Sequence, residues 1–498
     1  MTAVPEDLEV AAAAVEAEDV LATSAAGPAA VRGAALRTGT FLGGTLISTG
    51  AAALLFRHLG DVDTGRYAAA VSLSAIVTGF TDLGLTAIGM REMSVLHGAR
   101  RDQVARNLLG MRLVLTVLGV LVTATFAFLA YGRLLGLGVL ISGAGVLLQN
   151  TQSTLSVPLM AALRFGWISS LDLLRQLVMA ALVVMLVLLG AHLLPFLATA
   201  GIAAGIALVP TVFLVRGMIP IAASFDRREW RAMLAPIVTY SAAAAAGVLY
   251  FRIAILLVSL IAGPHALGYY GLSFRVVEVL FTVPATVVSA AFPIFARAAR
   301  DDPARLRYAL NRVFEVSLLA GVWMALSIAV GASFAVEVVG GRAFLPAVPI
   351  LAVQGLAVGA SFVGAVWAYG MLSLHLHRLI LMFNIGMLAL VAALVAVLTA
   401  LDGAQGAAIG TAAAEICGAI LGGVLLVRGR SYLAPKLTVV PKVAIAALLG
   451  AAPALLTGLP DVVRVILATI VYFAALFVLR ALPHELLALV PARLRGTS

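Results

Sequence analysis

Apolar residues run along this chain in stretches of about twenty, each closed by a short charged or glycine-rich interruption. None of the stretches alternates apolar and polar positions with a period of two, so barrel strands are excluded and helices remain. The pattern predicts helices near residues 38–57, 66–90, 107–131, 134–161, 167–191 and 193–216. After a charged gap it predicts 233–261, 268–295, 313–339, 344–371, 378–401 and 404–428, and then 441–458 and 461–482. The segments 134–161 and 344–371 are the least regular, being interrupted by polar residues and prolines. The expectation is an all-α membrane protein with about 14 transmembrane helices.

Composition removes the soluble alternative. With 62% hydrophobic and only 11% charged residues in 498, a water-exposed surface of ordinary polarity could not be built. In hydrocarbon, by contrast, a helix satisfies its own backbone groups and its apolar side chains face their own kind. Residues 1–30 differ: they are Ala-rich, acidic and free of aromatics, and are expected as a disordered tail. They lack the basic start and apolar core of a signal peptide. Cys417 lies within an apolar stretch and is expected to be a small buried residue.

Charge placement orients the helices. With a cytoplasmic N-terminus, Lys and Arg on inside segments outnumber those outside by about five to one. The outside set is Arg57, Arg66, Arg133, Arg342 and Arg464, while Arg175, Arg252 and Arg275 fall within helices. Arg112 counts among the inside-segment cations on this reading. The net charge of +10 is thereby explained by topology, and its scatter excludes a nucleic-acid surface. The expected location is the inner (cytoplasmic) membrane, multi-pass, with both termini cytoplasmic.

A repeat is visible. Gly60, Gly65 and Tyr67 recur as Gly263, Gly268 and Tyr270, each group following a helix that carries an arginine. This implies two six-helix pseudo-symmetric lobes, 35–220 and 230–430, related by an axis along the membrane normal with a cleft between them. Two additional helices fill 440–485, and 486–498 is a short cytoplasmic tail.

These residues also carry a resemblance. Phe56-Arg57-His58-Leu59-Gly60, Gly65-Arg66-Tyr67, Thr81-Asp82-Leu83-Gly84-Leu85 and Arg91-Glu92 resemble the N-terminal signature of polysaccharide-biosynthesis flippases. These are the Wzx-like members of the multidrug/oligosaccharidyl-lipid/polysaccharide exporter superfamily. Gly268-Tyr269-Tyr270 and Phe292-Pro293-Ile294-Phe295-Ala296-Arg297 agree with it, and the resemblance spans about residues 35–485. It implies a flippase that moves a polyprenyl-pyrophosphate-linked oligosaccharide to the outer leaflet through a cationic cavity, rocking between inward- and outward-open states.

The residues themselves offer candidates. Each charge at mid-membrane costs about 2.5–3.5 kcal/mol on insertion scales. Arg252 and Arg275 are candidates to pair with the pyrophosphate, to which a guanidinium fork is matched. Against this, Arg275 and Glu278 stand i,i+3 and could simply neutralise each other. Arg57 and Arg66 sit at the outer mouth, where snorkelling is the rival explanation. Gln149, Asn150 and Gln152, with Ser153 and Thr154, form an uncharged polar patch suited to sugar hydroxyls or to helix packing. Gln354, Trp367, Tyr369 and Asn384 carry the same ambiguity.

Asp82, Glu415 and Glu278 are the candidate ion-coupling acids. The only lysines, Lys436 and Lys442, each follow proline, so the chain has no phosphate-binding loop for ATP. A proton or sodium ion taken up by a membrane carboxylate is the alternative energy source. Asp172 and Arg175 read as an edge ion pair, and Pro284 and Pro293 as bending points. His375 and His377 do not share a helical face. No catalytic residue, cofactor or metal site is expected.

The expected partners are the lipid-linked oligosaccharide, membrane lipids, a coupling H+ or Na+, and the polysaccharide polymerase machinery. Two other classes stay open. A cation-coupled multidrug antiporter of the same superfamily would favour an acidic cavity, and a membrane glycan polymerase or ligase would need a large outer loop.

Overall fold

The computed structural model describes residues 26–483 apart from 83, 236, 237 and 457, and every element among them is helical. The first are α1 (Ala26–Asp82), α2 (Leu85–Val95), α3 (Gly98–Tyr131), α4 (Arg133–Leu155), α5 (Val157–Ala161), α6 (Phe165–Leu188) and α7 (Leu193–Val215). A short α8 (Arg227–Leu234) leads to α9 (Val238–Ile261), α10 (Pro264–Leu280), α11 (Thr282–Ser289) and α12 (Phe292–Asp301). Then come α13 (Pro303–Gly340), α14 (Val348–Ser373), α15 (His377–Val427), α16 (Val439–Ala451) and α17 (Asp461–Val478). The two expected tails fall outside the described residues, except that α1 already begins at Ala26.

Among the described residues, eleven helical stretches are long and apolar enough to cross a membrane, and two of them, at 53 and 51 residues, are long enough to cross twice. Both are broken where a return is needed. Gly60 interrupts α1 at φ 71°, a conformation that costs a residue without Cβ little. Phe56 and Tyr67 then lie ring to ring at 6.5 Å, where a straight helix would hold them about 16 Å apart. In α15 the break falls at Asp402 and Gly403 (φ 51°). Beyond it Gly406 packs on Leu398, Gly410 on Leu394, Gly418 on Met387 and Gly422 on Phe383. Numbers rising on one side as they fall on the other define an antiparallel hairpin.

The outward faces suit hydrocarbon. Only 17% of the apolar window of Gly98–Tyr131 is buried within the chain, and Leu118, Leu121, Val122 and Leu129 point out from it. Cys417 corrects the expectation: it is exposed, beside the buried Gly418 that faces Met387. A small thiol can face lipid tails without the cost that water would impose.

The chain divides into two compact units, Met1–Ala51 with Val77–Ser241, and Ala52–Ile76 with Ala242–Ser498. In the first, α4 crosses α7 where Gly145 meets Gly201, backbones approaching as small residues permit. In the second, Gly321 of α13 meets Gly359 of α14 in the same manner. The last helices belong to the second unit. Tyr472 donates to the Leu319 carbonyl (3.0 Å), Trp323 to Thr469 (3.2 Å) and Ser333 to Asp461 (2.5 Å), zipping α17 antiparallel along α13.

Backbone landmarks repeat between the units. Gly132 (φ 82°) and Gly341 (φ 76°) each follow a long helix, and Leu163 (φ 54°) and His375 (φ 56°) each follow the next one. Those two non-glycine residues cost roughly 1–2 kcal/mol apiece in this conformation. They are held by returning amides, Arg164 to the Leu159 carbonyl (2.9 Å) and Leu376 to that of Met371 (3.0 Å). Asn107 of α3 accepts the Asp226 amide at 3.1 Å, and Asn311 of α13 accepts the Lys436 amide at 2.7 Å. In both units the chain leaving the sixth span thus returns to an asparagine on the third.

Prolines place the remaining breaks. Pro158 opens α5 and Pro293 opens α12, while Pro284 lies in the first turn of α11, so the expected eighth helix is three short pieces.

Candidate functional site

Arg252 stands in the interior of α9, where the sequence offers it only apolar neighbours on its own helix. Its partner comes from α10. Arg252 donates to one carboxylate oxygen of Glu278 at 2.5 Å, and Arg275 donates to the other at 2.9 Å. The guanidinium of Arg252 also lies 5.5 Å from the ring centres of Phe251 and Phe274, where the ring faces attract a cation. The i,i+3 pair expected on α10 is therefore formed, but its carboxylate is shared. Two guanidinium groups on one carboxylate leave a positive charge in surplus. Tyr67 stands close enough to feel both Arg275 and Glu278. The two arginines thus share one carboxylate, each bonding a different oxygen of Glu278.

α9 serves a second cluster from another face. Tyr250, two residues before Arg252, is turned by about 200° around the helix. Its hydroxyl donates to Glu415 of α15 at 2.6 Å. The pair lines a cavity of about 250 Å³ with Asn384, Ser361, Phe281 and Pro284. Phe281 is the joint between α10 and α11, and its ring packs edge-on against Phe251 at 5.5 Å. Both clusters therefore touch the same helix joint.

The two arginines expected at the outer mouth are otherwise engaged. Arg57 donates to the carbonyls of Glu337 (2.9 Å) and Val338 (2.7 Å), capping the last turn of α13. Arg66 pairs with Asp63 at 2.8 Å, one turn away. Beside them the two repeat motifs dock on one another. A Cβ on Gly65 would lie 2.7 Å from the Pro264 carbonyl and 2.8 Å from the Gly268 amide, and one on Gly268 would strike the Asp61 carbonyl. Pro264 is the repeat counterpart of Asp61, and Gly268 of Gly65, so the contact is reciprocal, as a local twofold relation requires. His265 and Asp61 close it at 2.6 Å.

The first unit holds a different constellation. Asp82, at the end of α1, accepts from Arg112 of α3 (2.7 Å) and from Thr86 of α2 (2.5 Å). Arg112 also reaches Thr154 of α4 at 3.4 Å. Arg112, counted from the sequence with the inside-segment cations, is thus buried among helices. Helix α3 begins at Gly98 rather than near 107, carrying Arg112 about 21 Å along the axis to a buried position.

Asn150 is buried and donates to Thr81 (2.8 Å) and Thr116 (2.9 Å), and Gln152 is buried beside Ser156 and Thr211. Gln149 is half-buried. The polar patch is thus divided, with two of its amides spent on helix packing. Among the described residues no group of three His, Cys, Asp or Glu stands together as a metal site would need.

The profile of the polysaccharide biosynthesis protein family matches residues 31–299, more than half the chain. The chain belongs to that family. The matched stretch contains Asp82, Arg112, Tyr250, Arg252, Arg275 and Glu278, and ends before Glu415. The fold is that of the lipid II flippase MurJ in its inward closed conformation, at a TM-score of 0.76 and 12% identity over 91% of this chain and 99% of that one. An inward-facing multidrug resistance MATE transporter of the MOP superfamily is similar at a TM-score of 0.55 and 13% identity, over 78% of this chain and 95% of its own. A Pyrococcus furiosus transporter of that superfamily, described as having reversed binding-pocket polarity, gives 0.53 and 14% over 82% and 96%. No curated protein matches the chain.

The family and its structural neighbours are flippases and transporters, not enzymes. Tyr250, Arg112, Thr86, Phe251 and Phe274 are members of these clusters that the sequence reading did not single out. For Tyr250 the signal was its position two residues before an intramembrane arginine.

Proposed function

We propose that this family member is a flippase carrying polyprenyl-pyrophosphate-linked oligosaccharide from the inner to the outer leaflet of the cytoplasmic membrane by alternating access. The observation that carries the reading is the Arg252–Glu278–Arg275 cluster, two guanidinium groups on one carboxylate held within apolar helices. Such a surplus is costly unless an anion uses it. Membership of a polysaccharide-biosynthesis family makes a glycan-bearing lipid pyrophosphate the fitting anion. Glu415, with Tyr250 on its oxygen, is the proposed site where H+ or Na+ couples to the cycle. Membrane lipids surround it, the polymerase machinery would receive its product, and both termini would be cytoplasmic by the positive-inside bias.

The test is to delete the gene and extract polyprenyl-linked intermediates, asking which leaflet holds them. The expected result is a completed lipid-linked oligosaccharide accumulating on the cytoplasmic face. Normal intermediates together with increased sensitivity to cationic drugs would replace this reading with the multidrug antiporter.

A further inference from the structure

The sequence repeat assigns the hairpin tip of α1 to the first lobe, yet Ala52–Ile76 belongs to the second compact unit. Its attachment there is local. Gly65 and Gly268 let the two turns meet backbone to backbone, and Arg57 caps the last turn of α13. One carboxylate then closes the contact. Asp61 takes the Val62 amide on one oxygen at 2.9 Å. On the other it takes His265 Nδ1 at 2.6 Å and the Tyr269 hydroxyl at 3.2 Å, both from α10.

Of the groups bonded to Asp61, only the histidine is of a kind that changes charge near neutral pH. The His265 side chain is 67% exposed and open to protons from the solvent, whereas that of Asp61 is 26% exposed. Other charged or titratable groups surround the contact. On α1 they are His58, Arg57 on its two carbonyls, and Asp63 paired with Arg66 at 2.8 Å. From α13 comes Glu337, with Arg342 at 3.8 Å, and from α10 the Tyr269 phenol. The tip is thus held by a fixed backbone contact and by one bond whose strength depends on a proton.

We propose that Asp61 and His265 form a pH-sensitive latch on the outer side, in which a protonated His265 holds the tip of α1 on α10 and loss of that proton loosens it. The positive-inside bias puts both turns outside, so the proton comes from there. A protonated imidazole gives the carboxylate a charge-assisted bond, and a neutral one keeps no more than the hydrogen bond. The contribution is therefore present in acid and falls away as pH rises. The glycine contacts do not titrate, so pH tunes the docking rather than creating it. The purpose of the latch rests on the alternating-access reading, in which a tip that leaves α10 opens the outer side.

The test uses the full-length protein in intact cells and needs no glycan, so its failure would leave the flippase reading standing. Cys417, the single cysteine and an exposed one, is first replaced by serine. Thr64 is fully buried beside Gly65, and its hydroxyl makes no hydrogen bond, so Thr64→Cys reports undocking without removing a bond. A membrane-impermeant maleimide is added outside between about pH 5 and 8. At each pH the labelling rate is divided by that of the same reporter carrying His265→Gln, which cancels the titration of the thiol itself. The ratio should rise about threefold to fivefold across this range, the size of effect an exposed ion pair gives. With Asp61→Asn in both proteins it should stay flat, because the carboxamide still accepts from Val62 but carries no charge. With His58→Gln in both, the rise should persist. A flat ratio in the parent, a rise that survives Asp61→Asn, or one that His58→Gln removes would each overturn the proposal. So would a reporter that is never labelled, or is labelled only after the cells are permeabilised. If Asp61→Asn does not fold, the parent ratio and His58→Gln still decide.

Discussion

Asp82 with Arg112 in the first unit, and Glu278 with Arg252 and Arg275 in the second, face the same difficulty of a guanidinium inside an apolar helix. The first unit answers with one acid for one base and surrounds them with Thr86 and Thr154 from two further helices. Charge is matched one for one in that cluster, though the buried Arg112 Nε has no acceptor, and its bonds join α1, α2, α3 and α4. The second unit sets one acid between two bases on two helices, adds two phenylalanine faces, and leaves a cationic surplus. A balanced cluster spends its donors on the fold. A surplus is the arrangement that an anionic ligand can complete, so equal numbers of buried arginines do not mean equal roles.

The largest effect expected from this contrast is on transport. Arg252→Ala removes the surplus while Glu278 keeps Arg275, so the fold should lose only about 1–3 kcal/mol and the protein should still insert. Glycan export in a complemented deletion strain should fall to the deletion level, with Arg252→Lys intermediate because an ammonium lacks the fork. Full export by Arg252→Ala, at normal protein levels, would make the second cluster as structural as the first.

In the first unit the effect should be on stability, and it should be lopsided. Arg112 has a side chain only 5% exposed, whereas that of Asp82 is 39% exposed. Asp82→Ala therefore strands a buried cation, at a cost of about 3–5 kcal/mol. Arg112→Ala leaves a carboxylate that is not buried within the chain and keeps its bond from Thr86, costing about 1–3 kcal/mol. Thermal unfolding of the two purified variants measures the difference. Equal midpoints, or a loss of export without a loss of stability, would return Asp82 to the coupling role that the sequence suggested for it.

How much of this was legible follows from what hydropathy measures. It reports the apolar span, not the helix, so the hairpins at Gly60 and Gly403 were found while the start of α3 was missed. The residues Gly98–Arg106 are charged because they lie beyond the apolar run, and they are helical nonetheless. Arg112 was counted with the inside-segment cations for that reason. Helix α13 shows the same thing, beginning at Pro303 after the Asp302 cap rather than near 313. There the cap and the proline were readable signals of a helix start. The pairing of Arg252 with Glu278 was not readable, since the acid looked committed to Arg275 on its own helix and only packing shows that it serves both. The glycines of the repeat were visible as punctuation. Their reciprocal contact, Gly65 on Pro264 and Gly268 on Asp61, needed coordinates.

Within the second unit a smaller change separates its two clusters. Glu415→Gln removes a charge but keeps a carbonyl oxygen to accept from Tyr250, so the hydrogen bond and the fold should survive. Export measured across pH and sodium concentration should lose part of its dependence on one of them while the maximal rate falls severalfold at most. An unchanged profile would remove Glu415 from coupling and leave the Tyr250 bond as a packing contact.

The smallest effect expected concerns Arg57, which the sequence grouped with Arg252 as a possible anion ligand. In the structure both bonds described for it go to carbonyls in the last turn of α13, where a cation also meets the negative end of the helix dipole. That is a structural use of an arginine at an exposed site, so Arg57→Ala should cost about 0.5–1.5 kcal/mol and lower the unfolding midpoint by a few degrees. Export should stay near the wild-type rate, and Arg57→Lys should recover most of the stability because an ammonium can cap the same carbonyls. A variant that unfolds normally but exports poorly, and that lysine does not rescue, would show that Arg57 meets the substrate in another state of the cycle. It would then join Arg252 rather than stand in contrast to it.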